Sequence, residues 1–114
     1  GLASDTVEKI TLEDGGYLPV TEELFAEDAL IIENRQTQEV SLCDSEKVPY
    51  LTVKFDAPLF GVWSPVGKNA PFICIEPWYG RCDSVRFDGS FEEREWGSEL
   101  LPNTSFQTAY TVSV

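Results

Sequence analysis

Apolar residues recur at every second position along most of this chain, and a period of two is incompatible with a helical bundle. Phe106, Thr108, Tyr110, Val112 and Val114 fall on one side of an extended segment, with Ser105, Gln107, Thr111 and Ser113 on the other. The same alternation runs through Leu51 to Phe55, through Val40 and Leu42, and through Val7 to Glu13 with Ile10 and Leu12 inward. Two further runs, Ala29 to Ile32 and Pro71 to Glu76, lack polar alternation and read as strands covered on both faces. The helical signal is short: Thr21 as N-cap, Glu22 and Glu23 where the helix dipole favours anions, then Leu24 and Phe25. Turn chemistry at Asp14-Gly15-Gly16, Ser64-Pro65, Gly67-Lys68-Asn69, Asp88-Gly89-Ser90 and Pro102-Asn103 separates the runs at sandwich spacing. The expected fold is all-β, an antiparallel β-sandwich, with residues 1–114 as one segment and no internal repeat or linker.

Charge narrows the partners. Twenty acidic against eight basic side chains in 114 residues give a formal net charge of −12, which repels phosphate backbones and anionic headgroups. Nucleic acid and membrane surfaces are therefore not expected as partners. No apolar run approaches the ~20 residues of a spanning helix. The first twelve residues carry Asp5, Glu8 and Lys9 and no apolar signal core, so the expected location is the cytoplasm. Cys43, Cys74 and Cys82 show no Cys-x-x-Cys spacing, which fits a reduced compartment and neither a zinc site nor a redox pair. Histidine is absent, and with it the usual general acid and the usual activator of a nucleophile. Chemistry in this chain must rest on carboxylates or on residues supplied from elsewhere. Methionine is absent too, so Gly1 is not an unprocessed start and is expected to be either a cut end or an artificial boundary.

The segment Ala70-Pro71-Phe72-Ile73-Cys74-Ile75-Glu76-Pro77-Trp78-Tyr79-Gly80, followed by Asp83, resembles the C-terminal signature of bacterial aldose 1-epimerase (galactose mutarotase)-like proteins. Leu24-Phe25 with Asp28 to Ile32, Gly61 to Ser64, and Phe106 to Val114 fit in the same order, so the resemblance spans nearly the whole chain. It implies the C-terminal portion of a larger galactose mutarotase-like supersandwich, whose missing N-terminal portion carries the family's active-site histidines and arginine. It further implies that Glu76 is the general base that takes the proton from the sugar's C1 hydroxyl, that Asp28 binds sugar hydroxyls, and that no cofactor or metal takes part.

The residues themselves leave more than one reading open. In an extended Phe72 to Trp78, alternation sets Phe72, Cys74, Glu76 and Trp78 on one face. An acid on an apolar-aromatic face is partly desolvated, which is how a carboxylate is prepared to accept a proton near neutrality. The same acid could instead be a strand-end group paired with Arg81 or a lysine. Trp63, Trp78 and Tyr79 could stack on the C–H face of a pyranose at a pocket rim or plug the ends of a sandwich. Asp83 before Ser84 suits an Asx turn, and Cys74 reads as a small buried hydrophobe. The expected function is interconversion of the α and β anomers of a hexose, with Glu76 catalytic and Asp28, Trp63 and Trp78 on the sugar. The isolated chain is expected to be inactive, and the alternative is a non-catalytic carbohydrate-binding module.

Overall fold

The computed structural model describes residues 1–114. Its regular elements are six strands: β1 (Leu30–Ile32), β2 (Glu39–Cys43), β3 (Pro49–Phe55), β4 (Leu59–Trp63), β5 (Cys74–Trp78) and β6 (Tyr110–Ser113). Two 3₁₀ turns, Glu22–Phe25 and Phe91–Glu93, complete them. The strands form two antiparallel three-stranded sheets, ordered β1-β4-β5 and β2-β3-β6. The chain is thus all-β with the two layers of a sandwich, and it contains no helix long and apolar enough to cross a membrane.

The core lies where β3 hands the chain to β4. Asp56, Ala57 and Pro58 carry it from one sheet to the other, and Val53, Phe55, Ala57 and Phe60 are buried together. The Phe55 and Phe60 rings meet at 5.2 Å, tilted by 51°. Ile32, Val40, Leu51, Val62, Ile75 and Tyr79 pack around them. Residues paired across a ladder share a face, and Phe60 pairs with Ile32 and Pro77, and Val62 with Leu30 and Ile75. That row is the inward face of the first sheet. The inward row of the second contains Val40, Val53 and Val112 in one line and Phe55 with Tyr110 in the next.

Several expected strands change position. No strand forms over Val7 to Glu13, where Ile10, Leu12 and Val7 are exposed; alternation needs a partner strand, and the N-terminal segment meets the rest of the chain mainly through Ala3, whose N–H donates to Asp83 and whose carbonyl accepts from Val85. The run Ala29 to Ile32 supplies β1, and Pro71 to Glu76 supplies only the start of β5; both are edge strands flanking β4 rather than interior ones. The closing strand shortens to Tyr110–Ser113 because Phe106 and Thr108 engage Tyr79 instead, by an edge-on ring contact at 5.1 Å and a hydroxyl hydrogen bond. Thr21 precedes a 3₁₀ turn and makes no side-chain cap.

The result is an extended molecule, 49 × 31 × 28 Å with a radius of gyration of 16.0 Å, against about 13 Å for a compact domain of this size. It makes 35 backbone hydrogen bonds, where two-thirds of roughly one bond per residue would be usual. The ordered ladders therefore account for only the middle and the last few residues of the chain.

Candidate functional site

Glu76 is the third residue of β5 and pairs with Gly61 of β4. Period-two alternation along both strands puts Trp63, Gly61, Cys74, Glu76 and Trp78 on the face of the first sheet that looks away from the Phe55–Phe60 core. Glu76 is half-buried there. The Trp78 indole Nε1–H donates to its Oε2 at 3.1 Å. The Trp78 ring reaches that position by lying over Gly61: a Cβ built on Gly61 would stand 2.7 Å from the ring's Cζ2. A glycine inside an apolar strand commonly marks such a close approach, and in the sequence Gly61 was the signal available for it.

Cys74 completes the row. Its burial, then the negative charge of Glu76 and a side-chain interaction with that carboxyl, push the thiol above its ordinary range. Cys74 is thus held as a neutral thiol beside the acid. All three cysteines are free, and Cys82 is exposed. Trp63 stands across from Cys74, with its ring 6.4 Å from that of Phe72.

Arg81 does not pair with Glu76. Its side chain is 6% exposed and lies between Glu33, at 2.7 Å from Nε, and Glu95. The contact with Glu33 has the distance of an ion pair, but the Nε–H is not aligned for a hydrogen bond. Next to it Arg94 donates through Nε to Asp83 at 2.6 Å and through Nη2 to the Arg81 carbonyl at 3.3 Å. Asp83 is therefore an ion-pair partner. This charged cluster ties the end of β1 to the loop after β5 and leaves Glu76 without a cation.

Asp28 lies two residues before β1 with φ of 105°, a left-handed value that favours glycine. Its Oδ1 accepts the N–H of Ala29 at 2.7 Å, and no hydrogen bond or ion pair joins it to Glu76, Trp63 or Trp78. Tyr79 belongs to the core with Phe106 and Thr108 against it, which answers the rim-or-plug question for that ring. Two concavities lie elsewhere, one bounded by Thr37, Lys54 and Tyr110 and the other by Phe25, Val66 and Asn69. The Glu76 row occupies neither.

No family model matches the chain, and no solved structure matches it. Two curated relatives from Lactococcus lactis subsp. lactis, the plasmid and the chromosomal forms of Protein LacX, are each 28% identical to it over 104 residues. The match covers 90% of this chain but 34% of each relative, so the chain spans about a third of the length of the curated relatives it matches.

Proposed function

We propose that this chain supplies the catalytic base and one wall of the sugar site of an aldose 1-epimerase-like isomerase that interconverts the anomers of a hexose. The observation that carries the reading is Glu76: a half-buried carboxylate with no cationic partner, on a sheet face with two tryptophans, its Oε2 held by an indole N–H. A carboxylate so placed can take the C1 hydroxyl proton as the ring C1–O5 bond breaks; rotation about C1–C2 in the open aldehyde and reclosure give the other anomer. The ring oxygen must gain a proton in the opening step. This chain has no histidine to give one; in this reading the acid comes from the remainder of a longer polypeptide, with which the chain completes a supersandwich. The LacX match, covering most of this chain and a third of the relatives, supports that division. Trp63 offers its ring to the pyranose, Asp28 accepts sugar hydroxyls, no cofactor or metal takes part, and the cytoplasm is the site of action.

Polarimetry of the complete protein with galactose and glucose tests this. Glu76→Gln is expected to lower kcat by about 10²–10⁴-fold while sugar affinity stays within a small factor. Unchanged kcat removes Glu76 from the chemistry.

A second reading, a carbohydrate-binding module without catalysis, is favoured by the absence of histidine. Saturation-transfer NMR that detects hexose binding, with no rate enhancement by the complete protein, would select it.

A further inference from the structure

We infer that Trp78 is a positioning residue for Glu76 and that Gly61 is its seat, so that three residues on two strands form one device for aiming the carboxylate. The inference rests on the proposed role of Glu76 as base and assigns Trp78 a task other than stacking on the sugar. An ionised carboxylate at a strand centre can rotate about its side-chain torsions, and only one orientation presents a given lone pair to a hydroxyl. The indole N–H restricts that freedom by holding Oε2, so that Oε1 is the oxygen without a bond from the indole. The charge on the acceptor makes this bond stronger than a neutral one.

The donor is itself fixed. Trp78 is two residues from Glu76 on the same strand face, where side chains stand side by side and would ordinarily not aim at each other. The indole must lean along the strand and across to β4 to bring Nε1 within 3.1 Å of the acid. It can do so because Gly61, the cross-strand partner of Glu76, presents no side chain: its Cβ would meet Cζ2 at 2.7 Å, Cε2 at 3.1 Å and Cη2 at 3.1 Å. Any larger residue at 61 evicts the ring and with it the hydrogen bond. The six-membered part of the indole is thus pressed against backbone while its N–H edge is engaged with the acid. This is also the tightest glycine approach in the chain.

Two measurements on the complete protein test the device separately from the proposed activity. The chain has three tryptophans, so the indole N–H region of a ¹H–¹⁵N spectrum gives each an assignable signal. The Trp78 signal is expected to shift and to exchange faster with water in Glu76→Ala, with the Trp63 and Trp96 signals unchanged. Gly61→Ala should move it in the same way. A Trp78 signal that does not respond to Glu76→Ala overturns the inference whatever the protein catalyses.

The kinetic arm uses Trp78→Phe, which keeps an aromatic ring at the position but removes the pyrrole ring with its N–H. If Trp78 aims the base, kcat for mutarotation falls about tenfold or more at nearly constant KM, the size expected for losing a bond to a charged group. Wild-type kcat in Trp78→Phe alongside an inactive Glu76→Gln overturns the positioning role and leaves the base assignment standing. If the wild-type protein shows no mutarotation, the enzyme reading fails, and the spectrum alone decides whether the three residues form the device.

Discussion

In the β1-β4-β5 sheet the inward residues Ile32, Phe60, Val62 and Ile75 all meet the core cluster, whereas in the β2-β3-β6 sheet the inward row empties within one strand. Val53 and Phe55 of β3 are buried, yet their ladder partners on β6, Val112 and Tyr110, are 50% and 66% exposed. Both sheets have regular antiparallel pairing. Ladder hydrogen bonds therefore do not themselves bury a strand; a covering layer does, and it reaches β3 and Val40 of β2 but not β6. Apolar burial stabilises by about 25 cal/mol per Å², so the two inward rows differ in energetic weight although their sequences are similarly apolar.

The sharpest test of that contrast is truncation of one residue from each region. Phe60, on the inward row of β4 and 5% exposed, should lose about 3–5 kcal/mol on change to Ala. Val112→Ala on β6 should lose less than about 1 kcal/mol. Denaturant titration of the complete protein checks both, and a large loss at Val112 would mean that β6 is covered there by something beyond this chain.

A smaller effect is expected from the charged cluster that pins the first sheet to its following loop. Arg81→Met leaves Glu33 and Glu95 without their cation, but both acids reach water, so the loss should be about 1–2 kcal/mol rather than that of a fully buried pair. The loss should shrink on addition of salt only if the pair is wetter than its burial indicates.

The smallest effect lies at the Phe91–Glu93 turn, outside both sheets. Ser90 and Glu93 form a reciprocal capping box, with the Ser90 N–H on Glu93 Oε2 at 2.8 Å. The backbone N–H and then the side chain of Ser90 hold the Glu93 carboxyl below its ordinary range. A lowered acid contributes its stabilisation above the usual glutamate range and loses it as pH falls through the lowered value. The Ser90 amide resonance should accordingly titrate with a midpoint below that of an exposed glutamate, and more normally in Ser90→Ala when read at Glu93.

How much of this was legible beforehand divides along the same line. Alternation correctly put Cys74, Glu76 and Trp78 on one face, because that inference needs only the strand itself. It failed for Val7 to Glu13, since Ile10 and Leu12 alternate as a strand does but find no ladder to join. It overextended β6, because Tyr79 captures Phe106 and Thr108 before pairing begins. The ion pair of Arg81 with Glu33 joins residues far apart in the chain, and no local pattern encodes which acid a cation will meet. Gly61 stood in plain view as a glycine within an apolar run, but only the fold shows whose ring it admits.

Pro77 follows Glu76 in β5, an edge strand whose one ladder is to β4, where it pairs with Phe60. Proline has no N–H to offer, and within sheets it is accommodated at edges with its nitrogen turned outward. The free margin of the strand that bears Glu76 is therefore missing a donor next to the acid. A stray extended segment, from another copy or from a misfolded neighbour, cannot zip along it in unbroken register. Negative charge at 76 and a gap at 77 together blunt the margin against templated growth. Exchanging Pro77 for valine would turn a guarded border into a sticky one.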